Sequence, residues 1–118
     1  MRKRNLFQFA DAWLLLAIIY ASQKTRIASL TEIIAYGDFI NHAIFTWQEL
    51  QGGLFRLIKS GYIIESENGY KVSSKIFDSY KKFAKKNGSI FKQLGFIQQE
   101  LSSPEWSEDY NPLTANKG

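Results

Sequence analysis

The chain has 118 residues, 45% of them hydrophobic and 15% aromatic, with two prolines; this composition excludes a disordered or low-complexity polymer and suits one domain with one modest core. The absence of cysteine and a single histidine exclude disulfide scaffolds, thiolate zinc sites, cysteine nucleophiles and multi-histidine metal sites, so neither a metal nor a cofactor is expected. Fifteen Lys and Arg against eleven Asp and Glu leave a net charge of +4, a mildly basic balance that permits a nucleic-acid partner without requiring one.

Residues 1–8 read as a basic N-terminal arm carrying Arg2, Lys3 and Arg4. The arm precedes a nine-residue apolar run from Trp13 to Ala21, an order that resembles a secretory signal. Gln8 and Asp11 interrupt the upstream side of that run, and its length falls far short of the roughly twenty residues a membrane span requires. The expectation is a buried first helix from about Phe9 to Ser22, in a cytoplasmic protein with no membrane partner. Asp11 is placed to cap it, because a carboxylate there can accept from the orphan amides of the first turn. Trp13, Leu14, Leu15, Leu16, Ile18, Ile19 and Tyr20 cover most of its circumference, as in a helix that is central to a core or shared with a second subunit.

Residues 22–29 form a polar connector in which Ile27 can seed a strand of one or two residues. Ser29 and Glu32 make a capping box for a second helix, with Leu30, Ile33, Ile34 and Phe39 facing inward. Gly37 is its weak point, so the helix ends at Tyr36 or continues to Ile40. Residues 41–45 read as a turn, in which His42 is expected to stabilise the backbone. Thr46 and Glu49 form a second capping box, with Phe45 and Leu50 spaced as a hydrophobic staple. The helix from Trp47 to Ser60 turns Trp47, Leu50, Leu54, Leu57 and Ile58 inward and Gln48, Gly52, Phe55, Arg56 and Lys59 outward, with Gln51 at the edge. Gly61 stands where a helix ends.

Residues 62–65 and 70–73 are two short β-prone runs, and Asn68-Gly69 between them is a strong hairpin signature. Ser74 then opens a fourth helix with Ile76, Phe77, Tyr80, Phe83 and Ala84 on one face. Its lysines, Lys75, Lys81, Lys82, Lys85 and Lys86, read as a solvated face. A fifth helix from Ile90 to Leu101 carries the stripe Ile90, Leu94, Ile97 and Leu101, which can pack on one other helix of this chain or of a homodimer partner; dimerisation is the expectation. Residues 102–118 are an acidic tail. No nucleophile stands beside a base, so an enzyme is not expected.

The resulting fold class is mostly α with a small antiparallel β-hairpin, in the order helix, short strand, helix, helix, hairpin, helix, helix. Leu30–Ile34, Thr46–Ser60 and the run from Leu57 to Ile63 that leads into the hairpin give this order a resemblance to the winged helix-turn-helix superfamily. Residues 35–44 are similar to those of small bacterial winged-helix proteins. The resemblance covers about residues 9–86 and implies a transcriptional regulator that places its third helix in the DNA major groove and its wing near the backbone. It makes Gln48, Gln51, Gly52, Arg56 and Lys59 the candidate groove contacts, and Lys71, Arg2, Lys3 and Arg4 the candidate phosphate contacts. The alternative is a winged-helix module that binds protein, anchored by Phe55 and an acidic wing carrying Glu65 and Glu67.

Overall fold

The computed structural model describes residues 7–102; Arg2, Lys3, Arg4 and the acidic segment 103–118 lie outside the described residues. Five helices and one hairpin follow in the order α1(Phe9–Ala21), α2(Leu30–Asn41), α3(Trp47–Lys59), β1(Ile63–Ser66), β2(Gly69–Val72), α4(Ser74–Lys86) and α5(Ile90–Leu101). A helix that is apolar all round can hide its side chains only by running through the middle of the fold. α1 does so: every residue from Ala10 to Ile19 is buried, under α2, α3 and α5. Its own chain covers it, without recourse to a second subunit.

Asp11 does not occupy the N-cap. That position belongs to Gln8, whose backbone N–H donates to Asp11 Oδ2 at 2.9 Å from the third residue of the helix. A carboxylate one turn further in can still satisfy an orphan amide, and from there it also faces the core.

Both expected capping boxes form. Glu32 N–H donates to Ser29 Oγ at 3.2 Å, and Ser29 N–H donates to Glu32 Oε1 at 3.0 Å. The second helix continues through Gly37 to Asn41 and ends at His42, which takes left-handed φ of 54° and donates its N–H to Asp38 O. Leu30 and Phe39, expected inward, are 41% and 57% exposed. The buried positions of α2 are Ile33, Gly37 and Ile40; Leu30 only begins the helix, and Phe39 lies across from that stripe.

Bonds from the Ser29 backbone and hydroxyl hold the Glu32 carboxyl below its ordinary value of 4.5. A depressed folded-state pKa contributes stability above the unfolded value, and that contribution is lost as pH falls through the folded one. The stability gap between the wild-type chain and Glu32→Ala should therefore narrow as pH drops below the ordinary glutamate range. Urea unfolding at neutral and acid pH checks this, and a gap independent of pH would contradict it.

On α3, Thr46 N–H donates to Glu49 Oε1 at 2.9 Å and Glu49 N–H to Thr46 Oγ1 at 3.0 Å. The expected inward face is rotated. Leu50, Gly53, Leu54 and Leu57 are buried, whereas Trp47 is 68% exposed. Gly53 lets α1 approach closely, since a Cβ there would sit 2.6 Å from Leu14 Cδ2. That approach sets the contact line along the middle of the helix and leaves Trp47, its first residue, outside. α3 ends in a Schellman motif: Tyr62 N–H donates to Leu57 O and Gly61 N–H to Ile58 O, with Gly61 at φ 82°. This turn carries the chain straight into β1.

β1 and β2 pair antiparallel from Ile63↔Val72 to Ser66↔Gly69, so the two-residue turn is Glu67-Asn68, one residue earlier than the Asn-Gly signature suggests. Gly69 is needed elsewhere. A Cβ on it would meet the Ala28 carbonyl carbon at 2.8 Å. Its absence lets Ala28 run alongside β2, bonding Tyr70 in both directions at 2.8 and 2.9 Å. The short strand expected near Ile27 is this one-residue bridge, and β2 lies between it and β1.

Ser73, rather than Ser74, is the N-cap of α4. The stripe on α5 packs against this chain: Ile97 and Leu101 are 0% and 1% exposed in the core that α1 centres, and Ile90 and Leu94 are half-buried. Ile97 and Leu101 are therefore not available to a dimer partner, because their own α1 already covers them. Between α1, α4 and α5, Tyr20 and Tyr80 both donate to Gln93 Oε1, at 2.5 and 3.0 Å, and Gln93 Nε2 donates to Asn87 O at 2.8 Å. Burial raises the pKa of both phenols, which keeps them neutral donors.

Candidate interface on the third helix and hairpin

Residues four apart on a helix lie above one another. On α3 this places Trp47, Gln51, Phe55 and Lys59 along one line and Gln48, Gly52 and Arg56 along the next. Gln48, Gln51, Phe55 and Lys59 are exposed, while Gly52 and Arg56 are half-buried. The capping box at Thr46 and the Schellman turn at Gly61 fix both ends of the helix, and Leu50, Leu54 and Leu57 hold it to the core.

Arg56 has a partner within the fold. Its Nε lies 2.7 Å from Asp11 Oδ2 and its Nη2 lies 2.9 Å from Asp11 Oδ1, a two-pronged pair in which Asp11 is wholly buried and Arg56 is 27% exposed. The bond to Asp11 raises the arginine's already high pKa further. The guanidinium lies along α3 over Gly52, where a Cβ would come within 3.3 Å of both Nη atoms. The pair of residues expected to approach DNA is thus occupied in binding α3 to α1. Gly52 makes room for an arginine side chain, and that arginine is committed to a carboxylate 45 positions away in sequence. No local pattern signals such a partner.

What remains outward is a face of two amides, one cation and apolar surface. Lys59 Nζ sits 5.4 Å from the centroid of the Phe55 ring, a cation–π contact. Phe55 is 58% exposed, Trp47 68% and Ile44, just before the helix, 69%. Trp47, expected inward because hydrophobicity alone assigns it to a core, is a surface group. On the hairpin, Lys71 is exposed and faces Ile64 across the strands. Ile64 is itself 56% exposed, and Glu65 and Glu67 are exposed at the tip. Arg2, Lys3 and Arg4 lie outside the described residues.

The outward groups of this face are hydrogen-bonding amides, a cation and apolar rings. Glutamine can pair with adenine through two hydrogen bonds, lysine can neutralise phosphate, and exposed aromatic rings can be buried by a partner. Among the described residues, no three of His, Asp and Glu gather where a metal ion could be held. No described helix is long and apolar enough to cross a membrane. Comparisons with protein-family models, with curated proteins and with solved structures return no match to this chain.

Proposed function

We propose that this chain is a winged-helix module that binds duplex DNA and acts in transcriptional regulation, with α3 in the major groove and the hairpin beside the backbone. The observation that carries the reading is the outward face of α3. Gln48, Gln51 and Lys59 point to solvent from a helix locked to the core on its other side. The layout supports it: α2 and α3 are followed by a hairpin whose inner strand also pairs with Ala28, the order that carries the winged-helix resemblance. Lys71 adds a cation on the hairpin.

Replacing Gln48, Gln51 and Lys59 together by alanine should weaken binding to the preferred duplex tenfold or more, since each good base contact contributes about 1–3 kcal/mol. Fluorescence anisotropy on a selected sequence measures this, with circular dichroism to show that the helix persists. Absence of duplex binding by the wild-type chain at low salt would reject the reading.

A second reading has its own support. Trp47, Phe55 and Ile44 are exposed on or beside the same helix, and Arg56 is withdrawn from it. Such aromatic surface is what a protein partner buries at the centre of an interface. In that case Trp47→Ala with Phe55→Ala, and not the amide and lysine changes, would release the partner.

A further inference from the structure

The charge that α3 lacks is concentrated on α4. This helix buries Ile76, Phe77 and Tyr80 and turns Lys75, Lys81, Lys82, Lys85 and Lys86 outward, all exposed. Asp78 is its only acidic residue, so the helix alone carries +4, the formal net charge of the whole chain. Lys81 and Lys85, like Lys82 and Lys86, are four apart, a spacing at which like charges repel. Among the described residues no carboxylate forms an ion pair with any of the five, the ion pair there being Asp11–Arg56.

The connector before α2 enlarges the patch. Arg26, in the left-handed region at φ 68°, places its guanidinium 4.6 Å from the Phe77 ring centroid, and Lys81 Nζ lies 5.4 Å from the same centroid. Two cations from different segments thus approach one aromatic ring at the edge of the lysine face.

We propose that α4 carries a second anion-binding face, distinct from α3, that takes the phosphate backbone of a nucleic acid without regard to sequence. The dimensions agree. Lys75 to Lys86 spans about 16 Å of helix at 1.5 Å per residue. Four of the five lysines fall between Lys81 and Lys86, a stretch of about 8 Å at that rise, which spans about four phosphates with both strands counted at about 1.7 Å per charge. The chemistry agrees as well. Lysine acts as a point charge and reads no base edge, which fits backbone contact. A membrane surface fits less well, because the apolar face such a helix would insert is already buried in the core.

The inference goes beyond the α3 reading and is separable from it. The test compares three full-length proteins on a short mixed-sequence duplex between about 50 and 200 mM salt. They are the wild-type chain, the α3 triple variant above, and a variant with Lys81→Gln, Lys82→Gln, Lys85→Gln and Lys86→Gln. These lysines are solvent-facing, and circular dichroism checks that the four changes leave the fold intact.

The α4 variant should bind this duplex at least tenfold more weakly at the low-salt end. The slope of log affinity against log salt should become shallower by about 3.6, since each of the four phosphate contacts contributes about 0.9. The α3 variant, which gives up one cation at Lys59, should lose no more than about 0.9 of the slope on the same duplex. An unchanged slope in the α4 variant overturns this inference and leaves the α3 reading standing. Loss in the α4 variant, with no effect of the α3 changes even on a selected sequence, sustains it and overturns the α3 reading. A wild-type chain that binds polyglutamate but no duplex assigns the face to an acidic polypeptide and overturns the proposal.

Discussion

Replacing Gly37 by alanine should destabilise the protein by about 1–2 kcal/mol, even though the same change inside a helix ordinarily stabilises by about 0.5–1 kcal/mol. The reason lies on the far side of the helix backbone. A Cβ at Gly37 would drive into the edge of the Phe45 ring, with Cζ only 2.9 Å away. That ring has no room to retreat, because it is stacked on Trp13 with centroids 3.9 Å apart and an interplanar angle of 28°. Trp13 is anchored in turn, since its Nε1 donates to Gly37 O at 2.8 Å. The glycine, the phenylalanine and the tryptophan form one closed contact, and adding a methyl group strains both the stack and the hydrogen bond. In a domain of this size each kcal/mol shifts Tm by about 4–8 °C, so thermal unfolding shows the effect plainly. A neutral or stabilising Gly37→Ala would show that the Phe45 ring does not pack on Gly37 as closely as the structure has it.

Arg56→Ala should cost about 3 kcal/mol of stability, the scale on which removing one partner of a buried pair acts. Asp11, wholly buried in the intact fold, would be left with only the Gln8 amide to satisfy it. Arg56→Lys should recover only part of the loss, because a lysine offers one charge where the carboxylate is gripped at both oxygens. A double-mutant cycle with Asp11→Ala gives the direct measure, and the two single changes should be strongly non-additive. The result also decides the role of the residue. A DNA contact would lose affinity on removal and leave unfolding unchanged. A tie between α1 and α3 lowers Tm whether or not DNA is present.

These two sites mark the limit of what the order of residues reveals. The starts of α2 and α3 and the end of α3 were legible because a cap is a matter of three or four neighbouring residues. Ser29 with Glu32 and Thr46 with Glu49 close their boxes as written, and Leu57 to Tyr62 closes its Schellman turn. The wheel positions of α3 were legible to within one step of rotation. Hydrophobicity ranks Trp47 above Gly53 for burial, yet the fold buries the glycine and exposes the tryptophan. A helix contact is centred where the backbones approach closest, and that point takes the smallest side chain.

The candidate site divides in the same way. The exposure of Gln48, Gln51, Lys59 and Phe55 followed from periodicity. The withdrawal of Arg56 did not, because its partner lies on α1 and enters the argument only when the two helices are packed together. The α5 stripe was equally ambiguous: spacing four, three and four demands a helical partner but cannot say whose, and α1 of the same chain supplies it.

The sequence by itself determined where α2 and α3 start and where α3 stops, that a hairpin follows the third helix, and that α1 must be buried. These are consequences of short-range hydrogen bonding and of a helix with no polar side to show to water. The tertiary structure alone decided that Asp11 holds Arg56, that Trp47 faces outward and that Ile97 and Leu101 are covered within the protomer. It also set α4's lysines beside Arg26. Each of these depends on which surfaces meet across tens of residues of chain, where packing and charge pairing act between groups that no local pattern connects.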